Sequence, residues 1–154
     1  GEAIYKARCM GGHGKNGEGN RGGVKRDAKG YRHPPVWGPD SFNTGSGMNR
    51  LLTAMRYLIP DTPMGTTHKD AVLSDIEAYD VAGYLVSMPR PVKANLEEDF
   101  PERWNKPVDA AYPPYVDGMS ADQHKFGPFQ PLEDKFREAA VRRAREQGAA
   151  PATD

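Results

Sequence analysis

The chain has only one cysteine among its 154 residues and no excess of either charge. One cysteine excludes an internal disulfide. The 21 basic and 21 acidic residues give a formal net charge of zero, which argues against a general nucleic-acid-binding protein. No apolar run approaches the roughly 20 residues of a membrane-spanning helix. The sequence therefore predicts neither a nucleic-acid partner nor a membrane span.

Apolar side chains are scarce as well. Hydrophobic residues make up 37% of the chain, which contains 17 glycines and 14 prolines. The length suits one domain, or one domain with an extension. Such a loop-rich chain has little apolar material for a core of its size, and a large buried cofactor would supply what the side chains lack. Disorder is the other interpretation of a low apolar fraction.

The lone cysteine lies in the stretch Cys9-Met10-Gly11-Gly12-His13, which is one residue short of a haem-attachment motif. In the full motif, C-x-x-C-H, two cysteines form thioethers with the haem vinyl groups and the histidine ligates iron. Here Gly12 stands in place of the second cysteine. A Cys-x-x-x-His spacing is weakly specific by itself, because a lone cysteine is often a small buried hydrophobe.

Sequence patterns predict three helices in the first part of the chain. Residues 2–9 form a short first helix, and residues 47–59 carry the clearest amphipathic pattern. Pro60 is expected to end that second helix. The third helix begins at the capping box SDIE, residues 74–77, and continues to about residue 87. Gly83 lowers its helix propensity, so we expect a close contact with another helix there.

Loops occupy much of the remaining chain. Residues 11–30 are rich in glycine and basic side chains, and the prolines of residues 31–40 exclude helix. Residues 92–131 combine proline, aromatic and charged residues without a clean period, which predicts an extended segment lying over the domain. A charged helix is predicted at residues 132–147, followed by a mobile tail.

The order of these parts resembles a class I c-type cytochrome over residues 1–91. Longer strings are similar to the cytochrome c domains of thiosulfate dehydrogenase-type and related sulfur-oxidation cytochromes. These strings are PPVWGPDSFN (34–43), GMNRL (47–51), AYDVAGY (78–84) and PRP (89–91). Two further strings, KPVD (106–109) and QHKFGPF (123–129), resemble an extension found in members of that group.

The resemblance implies an all-α fold. A cytochrome c-like helical domain, residues 1–91, would surround one haem, and residues 92–154 would form a largely irregular extension that ends in a helix. Haem c would be attached through a single thioether to Cys9, since Gly12 offers no thiol. His13 would bind iron through Nε2, while its Nδ1–H donates to a backbone carbonyl in the region of Pro34 and Pro35.

The sixth iron ligand is open among three alternatives. Relatives carry a methionine just before the proline of this loop, where the chain has Thr62. Met64, just after that proline, is the proposed ligand, His68 is its rival, and an open or water-bound position is the third alternative. Methionine would raise the reduction potential and favour electron transfer, whereas an open position would favour ligand binding or chemistry.

Other polar side chains are assigned by their chemistry. Trp37, Arg32 and Tyr31 are candidates for contact with the haem propionates, because each donates hydrogen bonds; ordinary packing is the alternative. His33 and His124 are interpreted as surface or hydrogen-bonded histidines.

Three functions follow from these features. The first is a single-haem electron carrier between redox proteins, and we expect a carrier or redox subunit rather than a stand-alone enzyme. The second is an oxidoreductase subunit for thiosulfate or related sulfur anions, attracted by basic residues near the haem edge, namely Lys15, Arg21, Lys25 and Arg26. The third is a haem-binding module without an electron-transfer role. The resemblance implies a periplasmic or other extracytoplasmic location, and a start at Gly1 favours a processed mature chain.

Overall fold

The computed structural model describes residues 1–61 and 72–148 of the chain. Over these residues the secondary structure is helical and contains no strand; the one β-type pairing is an isolated antiparallel bridge between Asn20 and His33. The predicted all-α fold class is thus confirmed. The chain divides into two compact units, Gly1–Ala94 and Asn95–Asp154. No helix among the described residues is long and apolar enough to cross a membrane.

In its described residues, 1–61 and 72–94, the first unit contains four α-helices and one 3₁₀ turn. The helices are α1 (Glu2–Arg8), α2 (Met10–His13), α3 (Leu51–Asp61) and α4 (Asp75–Ser87), and the 3₁₀ turn is Gly47–Asn49. Helix α4 packs against both α1 and α3. It buries one apolar side that comprises Ala78, Val81, Ala82, Leu85 and Val86. Removing that side from water supplies the main favourable term for this unit.

The second predicted helix is present with changed ends, and the third is present at its predicted position. Arg50 is extended and separates the 3₁₀ turn from α3, so the continuous helix predicted for residues 47–59 begins only at Leu51. Pro60 lies inside α3, which is described as far as Asp61, so the expectation that Pro60 ends the helix is wrong. The predicted capping box is confirmed: Ser74 Oγ accepts from Glu77 N, and Glu77 Oε2 accepts from Ser74 N at 2.9 Å.

The glycine that allows a close contact between helices is Gly1 and not Gly83. A methyl group added at Gly83 would meet only Leu51 Cδ1, at 3.8 Å, which is ordinary van der Waals contact. Leu51 belongs to α3, so the expected contact with another helix is present, but it does not require glycine. The close approach that excludes a side chain lies elsewhere. It occurs at Gly1, where an added Cβ would lie 2.1 Å from the carbonyl oxygen of Asp80. Because Gly1 has no side chain, the start of α1 can lie directly on the backbone of α4.

Between residues 95 and 148, the second unit contains two 3₁₀ turns and two α-helices. The turns are Leu96–Glu98 and Arg103–Asn105, and the helices are α5 (Ala121–Phe126) and α6 (Gln130–Glu146). Helix α6 confirms the predicted charged helix and begins two residues earlier. Helix α5 was not predicted, because six residues are too few for a hydrophobic period; Ser120 caps it by accepting from Gln123 N at 3.1 Å. The tail from residue 149 lies outside the described residues.

Candidate functional site

Cys9 and His13 lie at the two ends of one helical turn. The backbone N–H of His13 donates to the carbonyl of Cys9 at 2.9 Å, which is the i to i+4 bond of an α-helix. Residues at this spacing project from the same face of a helix. The thiol of Cys9 is free and buried, and burial raises its pKa. A thiol and an imidazole are therefore presented side by side.

The ring of His13 is fixed by a backbone carbonyl. Its Nδ1 lies 2.7 Å from the oxygen of Pro34. A carbonyl oxygen only accepts hydrogen bonds, so Nδ1 carries the proton and Nε2 keeps its lone pair in the neutral ring. The acceptor expected in the Pro34 and Pro35 region is thus confirmed. This arrangement of a histidine is the one that metal ligation requires, because the partner of one nitrogen orients the other.

The glycine-rich loop holds that carbonyl in place. Asn20 N donates to the carbonyl of His33 at 2.8 Å, and Val36 N donates to the carbonyl of Gly17 at 2.9 Å. Gly19 has a φ of +77°, and an added Cβ there would lie 2.7 Å from His33 O. Only glycine allows this approach. Backbone hydrogen bonds therefore connect the glycine-rich loop to the proline segment on both sides of Pro34.

Gly12 lies beside a second histidine. It belongs to α2, and an added Cβ would lie 3.4 Å from Cγ and Nδ1 of His33. The backbone would therefore accept a side chain at this position, and the ring of His33 lies next to the place it would occupy. The ring centroids of His33 and His13 are 5.8 Å apart. Burial, and then the neighbouring His13, lower the pKa of His33, so this ring favours the neutral form.

Trp37 belongs to a cluster of three aromatic rings. Its centroid lies 4.7 Å from that of Tyr5 and 5.7 Å from that of Tyr84. The Tyr5 hydroxyl donates to the carbonyl of Gly14 at 2.7 Å. Gly17, at a φ of +64°, leaves no room for a side chain, since an added Cβ would lie 2.2 Å from Trp37. The cluster ties α1 and α4 to the loop that follows His13.

Tyr31 and Arg32 have different surroundings from Trp37. The Tyr31 hydroxyl donates to Asp40 Oδ2 at 2.7 Å, and this bond is the largest cause of a lowered pKa at Asp40. The guanidinium of Arg21 lies 3.9 Å from the Tyr31 ring centroid. Arg32 is exposed. Contact of Trp37, Tyr31 or Arg32 with propionates stays a prediction.

The remaining ligand candidates, Met64 and His68, lie outside the described residues. Two features of the structure were not found by sequence reasoning. His33 had been interpreted as a surface or hydrogen-bonded residue, and only the fold brings its ring to Gly12. Arg90 lies in the string PRP and is partly buried, and burial lowers its pKa to about 10. His33 carries no motif signal, and the string PRP, although it supports the family resemblance, gives no sign that its arginine is partly buried.

Comparison with known proteins gives relatives of one kind. The chain is 50% identical over 93 residues to a thiosulfate dehydrogenase of Allochromatium vinosum, covering 60% of this chain and 32% of that protein. It is 40% identical over 103 residues to one of Stutzerimonas stutzeri, covering 67% and 31%. No family model matches the chain.

One solved structure gives the same relationship. It is thiosulfate dehydrogenase (TsdBA) from Marichromatium purpuratum in its as-isolated form, with a TM-score of 0.53 and 28% sequence identity. The match covers 83% of this chain and 22% of that one. The chain thus spans about a third of the length of the curated relatives it matches, with 32% and 31% for the two named above.

Proposed function

We propose, from the premise that this chain is a c-type cytochrome related to the thiosulfate dehydrogenases, that residues 1–91 form a single-haem electron-transfer domain. The observation that carries the proposal is the pair of groups on one helical turn. Cys9 offers a thiol, and His13 offers an Nε2 lone pair whose direction is fixed by the bond from Nδ1 to Pro34. Residues 92–154 are then an extension of that domain.

The donor set fits haem c with one covalent link. A thioether needs a thiol, which Cys9 provides, and iron needs a neutral imidazole nitrogen, which His13 provides. Gly12 has no thiol, so the second vinyl group would remain unreacted. Bound haem would supply reversible one-electron chemistry of iron. Cys9 holds it to the chain, His13 ligates it, and the carbonyl of Pro34 orients the imidazole and raises its basicity.

We propose that Met64 would supply the second protein ligand to the iron, with His68 as its rival. Methionine ligation is the choice that suits electron transfer, because it raises the reduction potential. The partners would be other redox proteins in the periplasm or another extracytoplasmic compartment. The names of the relatives support a role in the oxidation of sulfur anions.

An oxidoreductase subunit for thiosulfate is the second candidate. Four cations of the glycine-rich loop are exposed and would attract an anion by long-range electrostatics: Lys15, Arg21, Lys25 and Arg26. Arg21 also pairs with Asp40 at 3.3 Å, which neutralises part of that charge. A turnover assay with thiosulfate and an electron acceptor separates the candidates. Reduction of the acceptor above background would favour the enzyme, and its absence would favour the carrier.

Attachment is tested on the purified holoprotein. We expect mass spectrometry of the denatured chain to show the added mass of one haem, and peptide mapping to place it on Cys9. A pyridine haemochrome spectrum should show one free vinyl group. Cys9→Ser should release all haem into acidified solvent, with Met10→Ala as a neighbouring control. Complete release of haem from the unsubstituted protein would contradict the covalent link.

A further inference from the structure

One loop of the first unit carries an excess of positive charge. This basic loop, residues 21–32, contains one carboxylate and five cations, and all five cations are exposed: Arg21, Lys25, Arg26, Lys29 and Arg32. With the neighbouring carboxylate of Asp40, five positive and two negative groups give a net charge of +3, although the whole chain has a formal net charge of zero. The positive charge is therefore concentrated in one short segment.

Asp40 neutralises only part of this charge. Its Oδ2 lies 3.3 Å from Arg21 Nη2 and its Oδ1 lies 3.4 Å from Lys29 Nζ, so two cations share one carboxylate. Both cationic side chains stay more than half exposed, at 57% and 56%. Exposed ion pairs are weak, because water and salt screen them. The basic loop can therefore still attract an acidic surface.

Backbone hydrogen bonds give the basic loop a defined course. Arg26 N donates to the carbonyl of Tyr31 at 2.7 Å, and Arg32 N donates to that of Asn20 at 2.8 Å. The guanidinium of Arg21 lies 3.9 Å from the centroid of the Tyr31 ring. The backbone that carries the cations is thus ordered before a partner arrives, which lowers the entropy cost of binding.

Val24 places an apolar side chain among these cations and is 79% exposed. It lies between Gly23 and Lys25 in the chain. A Cβ added at Gly23 would lie 3.1 Å from Arg32 Nη1, so a guanidinium lies beside the residue that precedes Val24. A single exposed valine needs no explanation. An apolar centre surrounded by charged groups is, however, the arrangement found in protein–protein interfaces.

The basic loop ends beside His13. Its last residue, Arg32, precedes His33, whose ring centroid lies 5.8 Å from that of His13 and whose ring lies next to Gly12. Asn20, just before the loop, donates to the carbonyl of His33 at 2.8 Å. A protein bound to this loop would therefore lie near the histidine that we propose as an iron ligand.

We propose that the basic loop, with Val24 at its centre, is the docking surface for an acidic face of a redox protein. The inference rests on the proposed function, which makes the partner a redox protein. Complementary charge steers the encounter, and Val24 is covered in the complex. The zero net charge of the chain argues against a nucleic acid as the occupant, and one exposed valine offers too little apolar area to anchor a membrane surface.

The experiment uses the purified holoprotein, with its haem content and reversible reduction recorded first as separate tests of the proposed function. The probe is an acidic plant-type ferredoxin labelled with a fluorophore, and its binding is followed by anisotropy, which does not require haem. Three variants are compared with the unsubstituted protein. They are Val24→Ser, the loop variant Lys25→Gln/Arg32→Gln, and the control variant Arg56→Gln/Arg142→Gln, which removes the same charge at exposed positions outside the loop.

At low ionic strength the loop variant should bind the probe about 2- to 30-fold more weakly, since each exposed charge pair contributes modestly. Val24→Ser should weaken binding about 3- to 10-fold, and this loss should persist at high salt, where the effect of charge is screened. The control variant should bind as the unsubstituted protein does. Absence of haem with loop-dependent binding would contradict the proposed function and still support the acidic docking surface.

Four results would overturn the proposal. Equal losses in the loop and control variants would show that only net charge matters, and unchanged binding in Val24→Ser would show that the apolar centre is not covered. Tighter, loop-dependent binding of an oligonucleotide or of phosphatidylserine vesicles would replace the protein partner. Calorimetric binding of thiosulfate that is lost in the loop variant, with binding of the probe unchanged, would assign the cations to the small anion.

Discussion

Two histidines of this chain make the same first hydrogen bond and differ in the second. Nδ1 of His13 lies 2.7 Å from the carbonyl oxygen of Pro34, and Nδ1 of His124 lies 2.8 Å from that of Val108. Nε2 of His124 also hydrogen-bonds Asp117 Oδ1 at 3.3 Å, and its side chain is only 2% exposed. No hydrogen bond to Nε2 of His13 occurs among the described residues. Both nitrogens of His124 therefore have partners, whereas the ring of His13 is held by one nitrogen and its other nitrogen is available.

The difference separates a structural histidine from a candidate ligand. The ring of His124 also stacks on Tyr115, with centroids 3.8 Å apart and planes at 4°. Lys106 lies beside the same tyrosine and donates to the carbonyl of Tyr112. This buried cluster of the second unit satisfies both nitrogens of its histidine internally. Around His13 the fold satisfies one nitrogen only, which is the condition for binding a metal.

The largest effect is expected from His13→Ala. If His13 ligates haem iron as proposed, loss of its imidazole should abolish the low-spin absorption spectrum of the reduced protein and its reversible reduction. His124→Ala is the matched control, and it should lower thermal stability while leaving the spectrum of the molecules that remain folded unchanged. An unaltered low-spin spectrum in His13→Ala would remove the distinction between the two histidines.

Asp117→Ala should be the most destabilising change in the second unit. It leaves Nε2 of His124 buried without its acceptor and removes the bond from Met119 N to Asp117 Oδ1. Breaking a buried pair in this way costs about 3 to 5 kcal/mol of unfolding free energy. Asp117→Asn keeps an acceptor oxygen and should cost less. Thermal unfolding followed by circular dichroism measures both, and equal losses would show that the acceptor is not the cause.

Gly12→Cys tests the open side of the site. An added Cβ fits at this position in ordinary contact with His33, so a second thioether should form and the signal of the free vinyl group should disappear from the haemochrome spectrum. His33→Ala combined with Gly12→Cys removes the neighbouring ring and should raise the yield of the doubly attached form. Gly12→Ser is the control without a thiol. A single-link spectrum in both cysteine variants would contradict the placement of Gly12 beside the haem.

The smallest effect concerns Lys106, whose pKa is lowered to about 8, first by burial and then by Arg103. Asp117 and Asp99 act in the opposite direction. The unfolded chain binds the proton more tightly than the folded one, so stability should rise as pH increases from about 8 towards the ordinary lysine value of 10.5. Lys106→Met should lack this rise. The measurement is the urea midpoint of the unsubstituted protein and of Lys106→Met at each pH across that range. If the two midpoints change with pH in parallel, Lys106 is not a desolvated ammonium.

Sequence reasoning found the fold class, the helices with clear periods and the capping box at Ser74. It missed α5, which is too short to show a period, and it joined residues 47–49 to α3 because amphipathic spacing does not reveal the extended Arg50. The relationship to thiosulfate dehydrogenases was recognised from strings of residues, and the comparisons confirm it. The roles of the site residues stay predictions, since Met64 and His68 lie outside the described residues.

The sequence by itself determined what the chain can bind covalently. With one thiol, at Cys9, and none at Gly12, the chain could form at most one thioether to a bound haem, whatever the fold, because covalent chemistry depends on residue type. Only the tertiary structure decided which carbonyl orients His13, which ring lies beside Gly12, and that two nitrogens of Arg90 are buried without acceptors. These contacts join residues far apart in the chain. They arise when α4 and the loops bury their apolar sides together, and no local pattern encodes them.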